Sequence, residues 1–76
     1  MVYGRFGGEI THLRLAMEED IRRIDKHEPD TDDKEAIERG SYVVATYDDG
    51  FVQVVHLAYL RADNGAVEIQ ELLAKG

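Results

Sequence analysis

The sequence contains no cysteine and no tryptophan, and Pro29 is its only proline. Without cysteine, neither a disulfide nor a thiolate metal site can form, so no disulfide cross-link stabilises the fold. With one proline and no low-complexity stretch, no segment has the composition of a linker that would divide the 76 residues. The sequence therefore predicts one small domain over residues 1–76, which buries only about 60% of its unfolded surface.

Long apolar runs and basic residues are also scarce. No stretch reaches the roughly 20 apolar residues of a membrane span, and the N-terminal residues lack the pattern of a signal peptide. Lys and Arg number 9 against 16 Asp and Glu, which gives a net charge of −7. Because such a chain repels phosphate, we expect no direct binding to nucleic acid or to an anionic membrane. We expect a cytoplasmic location, in the host cell if the chain is phage-encoded.

Two turn motifs organise the second half of the chain. Asp48-Asp49-Gly50 and Asp63-Asn64-Gly65 each place a glycine where a tight hairpin needs a positive φ. They predict a three-stranded antiparallel β-meander with strands over 42–47, 51–60 and 66–69. The tail after residue 69 fits either an extension of the third strand or a helix.

The register of these hairpins predicts which side chains share a face of the sheet. Tyr47 should face Phe51 across the first turn, and Val44 should face Val54. The predicted core face comprises Tyr42, Val44, Thr46, Val52, Val54, His56, Ala58, Leu60, Val67 and Ile69. The opposite face of the sheet has too many apolar side chains to be exposed only to water, so we expect another protein surface to cover it. In a homodimer the joining residues would be Val43, Phe51, Val55, Leu57 and Tyr59.

The first residues have a mixed pattern. Val2 to Phe6 has a β-like composition, which predicts a short N-terminal edge strand. Residues 9–15 fit two structures. Ile10 and Leu13 have the spacing of a helix face, whereas Leu15 suits the alternation of a strand.

Two helices are predicted before the meander. The first covers about residues 16–27 and ends before Pro29, because the residue preceding a proline avoids the helical region. Thr31 predicts the cap of a second helix over 32–39, and Gly40 stands just past its end. The sequence as a whole therefore predicts an α+β fold, with N-terminal helical segments packed on the meander.

Most of the excess negative charge lies in the helical region. Between Glu18 and Glu38 ten acids stand against four bases, a balance of −6. A surface of this kind favours a protein partner with a basic surface. The candidate partner-binding residues are Glu18, Glu19, Asp20, Asp25, Asp30, Asp32 and Asp33. Solvated outer faces of two surface helices would explain the same charge without a partner.

Motifs for catalysis or metal binding are weak. Asp30, Asp32 and Asp33 resemble the start of a calcium loop, but Lys34 and Glu35 stand where that loop needs a ligand and a glycine. The three histidines fall in separate predicted elements, and the only serine follows a predicted helix stop. We therefore expect no metal, no cofactor and no enzymatic activity.

The sequence favours a non-enzymatic protein-binding module. Examples of such modules are adaptors and the small inhibitors that phages and mobile elements direct against CRISPR or restriction effectors. A structural homodimer or assembly subunit is the alternative. A second alternative is a small-ligand or enzymatic site at His56 and Tyr42, which the first hairpin places opposite each other.

Overall fold

The protein has an α+β architecture, described for all 76 residues by a computed structural model. This confirms the predicted fold class. Five antiparallel strands form one sheet, accompanied by three helices. The elements are β1 (Val2–Tyr3), β2 (Glu9–Leu15), α1 (Glu18–Asp20) continued by a π-helical turn (Ile21–Asp25), α2 (Thr31–Glu38), β3 (Tyr42–Tyr47), β4 (Val52–His56), a 3₁₀ turn (Leu57–Tyr59), β5 (Arg61–Ala62) and α3 (Ala66–Lys75). None of the helices has the length and apolar character needed to cross a bilayer.

A short connection forces the sheet to curl. The strand order is β4-β3-β2-β1-β5, so β4 and β5, which follow each other in the chain, lie at opposite ends of the sheet. In a flat sheet these ends would be about 19 Å apart, because neighbouring strands lie about 4.8 Å apart. Only the 3₁₀ turn and Leu60 join them, and a 3₁₀ turn rises only about 2 Å per residue. The connection therefore spans the gap only because the sheet bends round, with the core inside the bend.

The predicted three-stranded meander is wrong in extent and in order. β1 pairs with both β2 and β5, so it lies inside the sheet and not at an edge. β4, predicted to be the central strand, is an edge strand. The reason is that β1 and β5 have two residues each, too few to show any alternation, and they meet only because the sheet curls.

The first predicted hairpin is confirmed in its register. Gly50 has a φ of +90° at the turn. The Tyr47 N–H donates to the Phe51 carbonyl oxygen at 2.8 Å. Val44 pairs with Val54, as the turn chemistry predicts.

The predicted core face of that hairpin is reversed. Val43 and Ala45 are 0% exposed and belong to the core cluster with Val55, whereas Val52 is 38% exposed. Register fixes which residues share a face, but it does not say which face turns inward when both are apolar. Val44, on the other face, is also buried. β3 is therefore covered on both sides, which accounts for its uninterrupted apolar sequence.

The second predicted hairpin is wrong. Gly65 does have a positive φ of 72°, but it stands at the N-cap of α3 and not in a turn between strands. The helical alternative for the tail holds and begins earlier than expected, at Ala66. The three side chains that pack against the core are spaced three and one apart, as on one helix face: Ile69, Leu72 and Leu73.

The structure of the N-terminal segments decides between the alternatives that the sequence leaves open. Residues 9–15 form the strand β2. The helical segment that follows ends at Lys26, which has a φ of +63°, and so stops before Pro29 is reached. Asp30, not Thr31, caps α2, because its Oδ1 accepts the N–H of Asp33 at 2.8 Å.

An ion pair between the buried Asp20 and the exposed Arg14 holds the helical segment on the sheet. Asp20 is 3% exposed. Its two oxygens accept hydrogen bonds from Arg14 at 2.7 and 2.8 Å, and they also accept from Arg23 and from the Met17 N–H. Arg14 projects from the same face of the sheet as Val44, its partner in the ladder. The ion pair therefore holds α1 and the π-helical turn over that face.

We predict that Asp20→Asn lowers the free energy of unfolding by about 2 kcal/mol, the usual range for hydrogen bonds to a charged group. The amide keeps the shape of the side chain but loses the charge that Arg14 faces. Urea unfolding followed by circular dichroism measures the change. Glu19→Gln is the control, because Glu19 pairs with Arg22 at the surface and should contribute less than about 0.5 kcal/mol. Equal effects of the two substitutions would contradict the role of Asp20.

The same ion pair predicts how stability depends on pH. The hydrogen bonds from Arg14 hold the pKa of Asp20 well below its ordinary value of 3.8. A depressed folded-state pKa adds stability above the unfolded-state pKa, and this stability is lost as the pH falls toward the folded-state value. The difference in unfolding free energy between wild type and Asp20→Asn should therefore be constant above about pH 5 and should shrink below about pH 4. A difference that persists unchanged in strong acid would contradict this assignment.

Candidate functional site

A wide concavity runs along the edge of β4. Its volume is about 670 Å³, within the range of binding clefts. Its lining includes β4 residues from both faces of the sheet, such as Gln53 and Val54, so the strand edge lies along the middle of the cleft. We call this cleft the β4 groove. One wall comes from the β1–β2 loop and the 3₁₀ turn, and the other from the π-helical turn and the start of β3.

The aromatic wall of the β4 groove consists of Phe6, Tyr47, Phe51 and Tyr59. Tyr47 forms its base, with its hydroxyl donating to Gln53 Oε1 at 2.8 Å and its ring 5.8 Å from the ring of Phe51. Burial raises the pKa of Tyr47, so the hydroxyl stays protonated near neutral pH. The outer rings are open to solvent, since Phe6 is 92% exposed and Phe51 58% exposed.

Glycines in the β1–β2 loop make room for the Tyr47 ring. A Cβ on Gly4 would lie 2.7 Å from two ring carbons of Tyr47 and closer still to its hydroxyl. A Cβ on Gly8 would lie 3.0 Å from the same ring. Gly4 is buried, so the loop lies directly on the ring. This close approach explains why a loop next to an aromatic base has glycine at both ends.

Arg5 connects the loop to the 3₁₀ turn. Its guanidinium carbon lies 5.7 Å from the centre of the Phe6 ring and 4.9 Å from that of Tyr59. Each cation–π contact at an exposed site is worth about 0.5–1 kcal/mol. These contacts keep the two parts of the aromatic wall next to each other.

The other wall contains Tyr42 and His56, which are cross-strand neighbours as the first hairpin predicts, and it meets the aromatic wall where the ring centres of His56 and Tyr59 lie 6.3 Å apart. Their rings meet edge to face with centres 5.8 Å apart, but they share no hydrogen bond. The Tyr42 hydroxyl donates to Asp33 Oδ1 at 3.2 Å, and the Ala58 N–H donates to His56 Nδ1 at 3.1 Å. Burial and the bond to Asp33 raise the pKa of Tyr42, so this phenol acts as a hydrogen-bond donor.

The structure divides the seven predicted partner-binding acids into groups. Asp20 is buried in its ion pair, so it is not accessible to a partner. Glu18 and Glu19 both pair with Arg22 at 3.4 Å. Asp30 and Asp33 bond each other's backbone at the start of α2. Asp25 and Asp32 form no ion pair, and Asp25 lines the β4 groove.

One side of the β4 groove is therefore acidic. We call Asp25, Asp30 and Asp33 the acidic side, because Asp25 lines the groove, Asp33 accepts a hydrogen bond from the hydroxyl of Tyr42, and Asp30 is hydrogen-bonded to Asp33. The sequence does not show which of the seven acids are accessible to a partner. The ion pair that makes Asp20 inaccessible joins a residue of a strand, Arg14, to a residue of a helix.

The five residues predicted to join a homodimer do not form one surface. Val43 and Val55 lie in the core, and Leu57 packs against it. Phe51 and Tyr59 are 58% and 50% exposed, and both belong to the aromatic wall. Arg5, Phe6 and Tyr47 belong to the groove but are not predicted as site residues by the sequence. The signal available in the sequence was the Arg5-Phe6 pair, which stands between Gly4 and Gly7 in a chain that has four tyrosines.

No three metal-binding side chains lie close enough together in the chain to hold an ion. Comparison with protein-family models finds no match for this chain, and comparison with curated protein sequences and with solved structures finds none either.

We predict that Gly4→Ala lowers the free energy of unfolding by about 1–3 kcal/mol, because the added methyl group overlaps the Tyr47 ring. Urea unfolding followed by circular dichroism measures the loss. In a Tyr47→Leu background the ring is gone, so the same Gly4→Ala substitution should cost about 1 kcal/mol less. Equal costs in the two backgrounds would contradict the contact between Gly4 and Tyr47.

Proposed function

We propose that this chain is a non-enzymatic protein-binding module, and that its β4 groove receives an extended, basic segment of a partner protein. The observation that supports this proposal is the pairing of an exposed aromatic wall with an acidic side along one open strand. A groove of this kind offers apolar contact on one side and charge on the other, which is how peptide-binding surfaces combine affinity with specificity.

The aromatic wall supports a protein partner. Isolated exposed apolar side chains are ordinary, but Phe6, Phe51 and Tyr59 line a single groove. Aromatic residues and arginine are enriched in the centres of protein interfaces. Arg5, which lies between Phe6 and Tyr59, adds a fixed polar group to the same wall.

The charge distribution supports a basic partner. The hydrogen bond to the Glu28 carbonyl raises the pKa of His27, and the carboxylates of Asp33, Asp25 and Asp30 raise it further. These groups therefore produce a negative potential beside the groove. With a net charge of −7, the chain attracts a basic protein and repels nucleic acid and anionic membranes. We place this interaction in the cytoplasm as part of the same proposal.

The charge also bears on the homodimer alternative. Two copies, each with a net charge of −7, repel each other before any contact forms. A different, basic protein is therefore the better occupant of the groove.

The test uses a synthetic peptide, Ac-Lys-Val-Lys-Val-Lys-Val-Lys-NH₂, with Glu in place of every Lys as the control peptide. We expect the Lys peptide to bind and the Glu peptide not to bind, and we expect binding to weaken by at least about tenfold between about 50 and 300 mM salt. Isothermal titration calorimetry measures both affinities.

A matched pair of variants locates the binding site. Asp25→Lys should weaken binding of the Lys peptide by about tenfold, because it reverses a charge in the groove. Glu71→Lys changes the net charge equally on α3, at the other side of the sheet, and should have a much smaller effect. Equal binding of the two peptides, or equal effects of the two variants, would contradict the proposal.

A further inference from the structure

The edge of β4 has backbone groups without partners. The first hairpin fixes the hydrogen-bonding pattern, because the Tyr47 N–H donates to the Phe51 carbonyl and the Leu57 N–H donates to the Ser41 carbonyl. In an antiparallel ladder, residues alternate between those that bond the neighbour and those that point away from it. The backbone groups that point away from β3 are therefore those of Val52, Val54 and His56.

These groups face the β4 groove. β4 ends the sheet, so no strand pairs with it on that side. No other backbone or side-chain hydrogen bond within the chain satisfies the N–H groups of Val52, Val54 or His56. A row of free N–H and C=O groups at equal intervals is a template for one more strand.

The usual devices that protect an edge strand are missing from β4. The strand Val52–His56 contains no lysine, no proline and no charged residue. The irregularity in the register of the sheet lies between Ile10 and His12 in β2, away from this edge. The other end of the sheet is protected by its shortness, since β5 has two residues. Of the two ends, β4 is the one open to pairing.

The geometry points to strand addition as the mode of binding: the basic segment of the partner pairs with β4 as a sixth strand. This inference rests on the proposed function and specifies it further. Side chains of an added strand alternate between the two faces of the sheet. On one face they meet the aromatic wall, on the side of Gln53 and Val55. On the other face they meet the acidic side, next to Val54 and His56.

The partner segment is therefore expected to alternate apolar residues with Lys or Arg. β4 has five residues and a length of about 17 Å, since each residue of a strand rises about 3.4 Å. A matching segment needs five to seven residues. Apolar side chains would contact Phe51, and basic ones would contact Asp25.

A second copy of this chain fits the edge less well. If two β4 strands paired about a two-fold axis through Val54, each face of one sheet would continue into the same face of the other. The acidic side of one copy would then face the acidic side of the next, including Asp25 of both. This like-charge meeting is absent when the added strand carries Lys or Arg.

The experiment uses N-methylated forms of the peptide Ac-Lys-Val-Lys-Val-Lys-Val-Lys-NH₂. Methylation removes a backbone N–H without changing the charge. In antiparallel addition, the residues directly opposite Val52, Val54 and His56 bond β4 and share their face, so they are the Lys residues. We expect N-methylation of the Lys residues to weaken binding by at least about tenfold and N-methylation of the Val residues to leave it within about twofold. Parallel addition reverses the two sets and also supports the inference.

Equal binding of the two methylated peptides, while the unmethylated peptide binds, would overturn strand addition and leave the proposed function standing. The same holds for equal binding of the block peptide Ac-Lys-Lys-Lys-Lys-Val-Val-Val-NH₂, which has no alternation. If no Lys peptide binds, both proposals fail. Light scattering of the protein without peptide measures its oligomeric state. A stable dimer that Val52→Pro converts to monomer would overturn the basic partner and assign the edge to a second copy.

Variants of the protein test the same edge from the other side. Val52→Pro removes an N–H that points out of the sheet, a position where edge strands tolerate proline. Val52→Thr is the control, because it keeps both the N–H and the shape. We expect the proline variant to bind the Lys peptide at least about tenfold more weakly than the threonine variant. If the proline variant does not fold, amide exchange in the wild type decides: the peptide should slow exchange of Val52, Val54 and His56, and unchanged exchange would overturn the inference.

Discussion

The rest of the structure depends on the short link between β4 and β5. Four residues must join the two ends of a five-stranded sheet, so the sheet has to curl, and its small apolar core lies within the curl. The same bend brings the 3₁₀ turn beside the β1–β2 loop, where Arg5 contacts the ring of Tyr59. The aromatic wall of the β4 groove is therefore a product of the curl of the sheet. In a flat sheet with the same strands, the β1–β2 loop and the 3₁₀ turn would lie apart, and the aromatic wall would not form.

The acidic residues of the chain have two different roles. Asp20 is held by Arg14 inside the protein, where it fastens a helical segment to the sheet. Asp25 stands at the end of the same segment, faces the groove and has no ionic partner. The first carboxylate thus fixes the position of the second. In a domain whose core supplies only about 3–5 kcal/mol, an ion pair with one buried carboxylate has a large relative effect on stability.

The sequence predicts local features well and long-range ones poorly. Gly50 and the alternation around it are sufficient to predict the first hairpin and its register, because a tight turn acts on adjacent residues. Gly65 carries the same signal, but a positive φ suits both a hairpin turn and the start of α3, and the distant packing of Leu72 decides between them. The groove was predicted only in part. Tyr42 and His56 follow from the hairpin, whereas Arg5 and Phe6 reach the site through a curl that no local pattern encodes.

The pairing of β1 with β5 joins residues far apart in the chain, since Val2 lies opposite Ala62. Bringing together two residues separated by most of the sequence carries a large entropy cost, and contacts of this range slow folding. During synthesis, β1 is made before the other strands and lacks its second neighbour until β5 has been made. Until then Val2, which is buried in the finished core, lacks part of its cover. Formation of the curl is therefore a late event, and the nascent chain exposes Val2 until β5 has been made.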